Sequence, residues 1–73
     1  MKLKKLAKHY LTNNAYLSIT LIKNARPDKT ILTHTYQIKE NCPDWLKYEV
    51  LQIEANDNGT LCILIVEPKN EVH

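Results

Sequence analysis

The sequence predicts a single α+β domain: an N-terminal amphipathic helix packed on a four-stranded, mostly antiparallel sheet. Three observations carry this expectation. Apolar residues near the N-terminus recur at helical spacing, four later stretches alternate or run apolar at strand length, and turn-forming residues fall between them. One glycine and three prolines in 73 residues leave little room for flexible loops.

The helix is expected over residues 2–11. Leu3, Leu6, Ala7, Tyr10 and Leu11 fall at i, i+3, i+4, i+7 and i+8, the stripe a core-facing helix needs, while Lys2, Lys4, Lys5, Lys8 and His9 fill the other face. Asn13-Asn14 is its expected end, since asparagine tolerates the left-handed conformation found past helix C-termini. Ala15–Lys23 alternates as a first strand, with Leu17, Ile19 and Leu21 on one side and Tyr16, Ser18, Thr20 and Ile22 on the other. Residues 24–29 form the expected turn, with Pro27-Asp28 its strongest signal, and Thr30–Lys39 a second strand paired with the first as a hairpin.

Residues 41–46 read as a short helical turn with Pro43 at its first position, where a missing N–H costs nothing. Tyr48–Ala55 is the third strand. Val50, Leu51 and Ile53 break its alternation, which predicts a bulge. Asn58-Gly59 supplies the positive φ of a hairpin turn. Thr60–Glu67 is the fourth strand, ended by Pro68, with residues 68–73 expected to fray.

The fourth strand is apolar on both faces: Leu61, Ile63 and Ile65 on one, Cys62, Leu64 and Val66 on the other. Such a strand is normally covered on both sides. One useful helix covers one face of a sheet. The second face, assigned here Tyr16, Ile22, Ile31, Cys62, Leu64 and Val66, is left for the Trp45 turn or for another protein to cover. The expected interaction face is therefore Tyr16, Ile22, Ile31, Leu64 and Val66, with Trp45 as an aromatic anchor.

Charge is uneven along the chain. Lys2, Lys4, Lys5, Lys8, Lys23, Arg26, Lys29 and Lys39 stand against Asp28 alone in residues 1–39, whereas residues 40–73 are acidic, and the net charge is +2. The competing expectation is a weak nucleic-acid or nucleoprotein binder, with Lys2, Lys4, Lys5, Lys8, Arg26 and Lys29 meeting phosphates. A sequence pI of 8.6 and the lack of interleaved aromatic and basic residues weigh against a dedicated nucleic-acid domain.

Catalytic and cofactor signatures are missing from the pattern. The histidines and cysteines show no Cys-x-x-Cys or closely spaced histidine pair, so no metal is expected. A lone glycine makes no phosphate loop. Glu49, Glu54 and Glu67 sit at strand positions that face solvent, and His34 and Cys62 read as structural residues. Cys42 precedes a helical turn without a nucleophile signature. Two sparse cysteines fit reduced thiols in a cytoplasmic protein. Lys8 and His9 interrupt any leader-like apolar run, and no stretch reaches the ~20 apolar residues that span a bilayer. Neither a membrane nor a small-molecule substrate is expected.

The Leu-x-x-Leu-Ala helix, Pro43-Asp44-Trp45-Leu46, Tyr48-Glu49-Val50 and Gly59-Thr60-Leu61-x-Ile63-x-Ile65 together resemble short uncharacterised proteins carried by phages and mobile elements of Gram-positive bacteria. The resemblance implies fold and genomic company rather than an activity; small proteins of that origin often act by binding, as accessory or inhibitor proteins. The expected function is thus a non-enzymatic protein-interaction module whose partner is another protein or a second copy.

Overall fold

The computed structural model describes residues 1–9, 11 and 15–68. The expectations for Tyr10, for the helix end at Asn13-Asn14 and for residues 69–73 lie outside them. Helix α1 (Leu3–His9) is followed by strands β1 (Tyr16–Lys23) and β2 (Arg26–His34). A crossover comes next, built from a 3-10 turn at Thr35–Gln37, the short helix α2 (Ile38–Asn41) and a second 3-10 turn at Pro43–Lys47. Strands β3 (Glu49–Ala55) and β4 (Thr60–Val66) complete the chain.

The α+β class, the N-terminal helix and the four strands are as the sequence predicts. The sheet, however, is mixed. Its order is β2-β1-β4-β3, with antiparallel outer pairings and a parallel central one. The reason is the crossover: it carries the chain from β2 at one edge to β3 at the other, so the second hairpin docks with β4 against β1, both running the same way. As a central strand, β4 has neighbours on both sides along its whole length, and its apolar character fits that position.

Local chemistry explains the elements. The first hairpin turns on Asn24 and Ala25, both at positive φ (54° and 63°), which matches a two-residue turn of the primed type. The turn is thus tighter than the six residues expected. Pro27 falls inside β2, where the register shifts opposite Leu21 and Ile22. Because β2 is an edge strand, its missing N–H breaks no interior ladder. In the second hairpin, Asn56 Oδ1 accepts the N–H groups of Asn58 (2.9 Å) and Thr60 (3.0 Å), and Gly59 adopts φ 83°. The bulge expected in the third strand lies between Val50 and Gln52.

The second strand is shorter than its alternation predicts. It ends at His34, where the Thr35 N–H and hydroxyl both donate to the Ala15 carbonyl (3.0 and 3.2 Å) and turn the chain out of the sheet. Tyr36 and Ile38 therefore leave the strand, and Ile38 enters the core from α2.

That core lies on one side of the sheet. Leu17, Ile19, Leu21, Ile63 and Ile65 pack against Leu3 and Leu6 of α1 and against Ile38, Cys42 and Trp45 of the crossover. Leu3, Leu17, Ile19, Ile63 and Ile65 are fully buried, each contributing about 1.5–3 kcal/mol of transfer free energy. The N-terminus is held to the edge of β3, where the Leu3 N–H donates to the Tyr48 carbonyl (2.9 Å) and the Val50 N–H to the Met1 carbonyl (2.8 Å).

Candidate functional site

The second face of the sheet follows from the register. Successive rows across β2, β1, β4 and β3 read Leu32, Ser18, Cys62 and Glu54, then Thr30, Thr20, Leu64 and Gln52, then Pro27, Ile22, Val66 and Glu49. His34, Tyr16 and Thr60 close the other end. Among the described residues, none of these side chains belongs to the core that the helices cover. Leu32 keeps 60% of its surface exposed and Tyr16 42%, while Ile22, Cys62, Leu64 and Val66 are half-buried by their neighbours in the sheet. The face is mixed in character: a Thr20–Thr30 hydroxyl pair at 2.9 Å crosses its middle, and Glu49, Gln52 and Glu54 line one margin.

Four of the six expected face residues, Tyr16, Ile22, Leu64 and Val66, share this surface. The other two do not. Ile31 pairs with Ile19 and packs on the helix side, because one step of strand register moves a side chain to the opposite face. Trp45, itself part of the crossover, is buried in the core, so it is a packing residue rather than an exposed anchor.

An aromatic cluster takes the place expected of Trp45. The His34 ring lies 4.8 Å from that of Tyr16 and 5.4 Å from that of Tyr36, which is 61% exposed. Leu32, His34 and Tyr36 alternate in the sequence, and that signal was available. It was masked because the same alternation continued into Ile38 and made all of them look like one strand.

The helix side carries a second feature. A cleft of about 640 Å³ lies between α1 and the crossover, lined by Lys2, Lys4, Lys5, Lys8 and His9 from the N-terminal segment and by Lys39, Pro43, Leu46 and Lys47 from the crossover. A second hollow of about 570 Å³ shares Lys4, Lys8, Lys39 and Leu46 with it and adds Ala7, Thr35, Tyr36 and Ile38. The expected lysines of α1 are brought together here, and folding joins Lys39 and Lys47 to them. Arg26 and Lys29 line neither hollow, since they belong to the β2 edge strand.

The cysteines are both free. Cys42 is buried, its thiol donates to the Ile38 carbonyl at 3.4 Å, and burial pushes its pKa up, which disfavours the thiolate a nucleophile needs. Cys62 is half-buried on the second sheet face rather than in the core. Among the described residues, no three His, Cys, Asp or Glu side chains gather as a metal site, and no helix is long and apolar enough to cross a membrane. No family model, curated protein or solved structure matches this chain.

Proposed function

We propose that the chain is a non-enzymatic protein-interaction module that docks through the second face of its sheet, with a second copy of itself as the occupant. The carrying observation is the one-sided placement of α1 and the crossover, which leaves Ile22, Leu64, Val66, Tyr16 and Leu32 without cover among the described residues. Aromatic side chains with an apolar body and a polar tip suit such contacts, and Tyr16, His34 and Tyr36 supply them at one end of the face. A two-fold contact presents the same patch from both copies, so the apolar positions of one face would meet those of the other. An accessory or inhibitor role, common among small phage-borne proteins, would be exerted by binding alone.

Sedimentation equilibrium on the wild type and on Leu64→Glu or Val66→Glu tests this reading. The expected result is a concentration-dependent dimer that either substitution dissociates while far-UV circular dichroism stays unchanged. A wild type that remains monomeric at the highest attainable concentration removes the reading. Loss of the fold in both variants also removes it, because the two residues are then structural.

A further inference from the structure

We infer that the lysine-lined cleft between α1 and the crossover takes an acidic, amphipathic segment of a partner protein, its carboxylates against the lysines and its apolar side chains against the apolar lining. The inference goes beyond self-association through the sheet face. The cleft lies on the helix side of the sheet, so either proposal can fail alone.

Its first support is uncompensated charge. Lys4 and Lys8 stand one turn apart on α1, a like-charge spacing that destabilises an isolated helix, and α1 has no acid in its first turn to offset the lysines there. Lys39 and Lys47 approach from the crossover and add to the repulsion. Among the described residues, no carboxylate forms an ion pair with any of these lysines, and Glu49 is engaged by the N-terminal ammonium at 3.2 Å. A bound anion relieves that repulsion along the whole cleft.

The second support is the apolar part of the lining. Pro43 and Leu46 line the first hollow and Ala7 and Leu46 the second, and the aliphatic stems of the lysines add to them. A phosphate backbone gains nothing from such a lining. Bases would need aromatic faces to stack on, and the lining supplies two rings, His9 in the first hollow and Tyr36 in the second, fewer than a track of successive bases uses. Arg26 and Lys29, which would extend a phosphate track, do not line the trough. A helical segment with apolar residues at i, i+3, i+4 and i+7 and glutamates beside them satisfies the apolar lining and the lysines together, in the helix-in-groove mode.

The test is fluorescence anisotropy on the full chain with a fluorescein-labelled helical peptide of that Leu/Glu pattern. A scrambled peptide of equal composition and labelled single-stranded and duplex DNA serve as comparators. The peptide is expected to bind about tenfold or more tightly than any comparator, and less tightly as salt rises. Lys4→Glu combined with Lys8→Glu is expected to weaken it about tenfold or more. Lys47→Glu reads the same cleft from the opposite wall without touching α1, and Leu46→Ser reads the apolar lining. The inference is overturned if the peptide fails to bind, if the scrambled peptide binds equally, or if Lys47→Glu and Leu46→Ser leave its affinity unchanged. DNA binding as tightly as the peptide overturns it too, and makes the cleft a phosphate site.

Discussion

The Asn41 side-chain amide donates to the Thr33 hydroxyl at 2.6 Å, tying the end of α2 to the edge strand β2. Thr33 is buried and its hydroxyl in turn donates to the His34 carbonyl at 3.2 Å, so one short chain of bonds fixes where the crossover leaves the sheet. Asn41→Ala and Thr33→Val are each expected to cost about 0.5–1.5 kcal/mol in urea unfolding. The double variant should cost less than the two single losses added together, since both remove the same bond. Full additivity would show that the contact contributes nothing.

The placement of Trp45 and Leu32 on opposite sides of the sheet gives a contrast in stability. Trp45→Ala is expected to lose about 3–5 kcal/mol, a large part of the ~4–11 kcal/mol available to a domain this small. Leu32→Ala, at a largely exposed position, should stay within about 0.5 kcal/mol under conditions where the chain is monomeric. Urea midpoints on the two variants distinguish a buried tryptophan from a surface one.

The first hairpin turn holds an alanine where glycine is at ease. Ala25→Gly relieves a left-handed conformation at φ 63° and should raise stability by about 0.5–1 kcal/mol. Gly59→Ala should act oppositely by about 1 kcal/mol, because φ there is 83° even though the space beside it is open. Thermal melts of the pair would move in opposite directions.

The two thiols should separate chemically. Half-buried Cys62 should react first with a disulfide reagent, and Cys42 only as the core opens. Burial raises the Cys42 pKa, so the folded state holds that proton longer than the unfolded chain does. Stability is therefore unaffected below about pH 8.5 and falls as pH rises beyond it. Cys42→Ala should flatten that part of the fall. Tyr48 adds a second decline from about pH 10, its pKa raised first by desolvation and then by Glu67 and Asp44. Unfolding measured from neutral to alkaline pH, on the wild type and on Cys42→Ala, checks the Cys42 assignment.

The elements governed by local chemistry were legible. The Leu3–Leu6 stripe, the β1 alternation, the Asn58-Gly59 turn and the bulge beside Val50 all follow from neighbours in sequence. What escaped depends on distant partners. The bonds from Thr35 to Ala15 stop β2 and send Ile38 into the core, although the alternation through residue 38 reads as strand. The face of Ile31 depends on its register with Ile19. Trp45 is buried because the crossover lies over the sheet. The cleft needed Lys39 and Lys47, which are separated in sequence from the lysines of α1 and meet them only after folding.

The central pairing of Tyr16–Ile22 with Thr60–Val66 shapes how the molecule assembles. Each hairpin can close quickly by itself, yet neither alone encloses a hydrophobic interior, because the seam between them joins segments from opposite ends of the chain. A growing polypeptide cannot complete the sheet until β4 has been made. Before that moment the seam edge of β1 is bare, and that interval is when the chain is most open to mispairing with its neighbours.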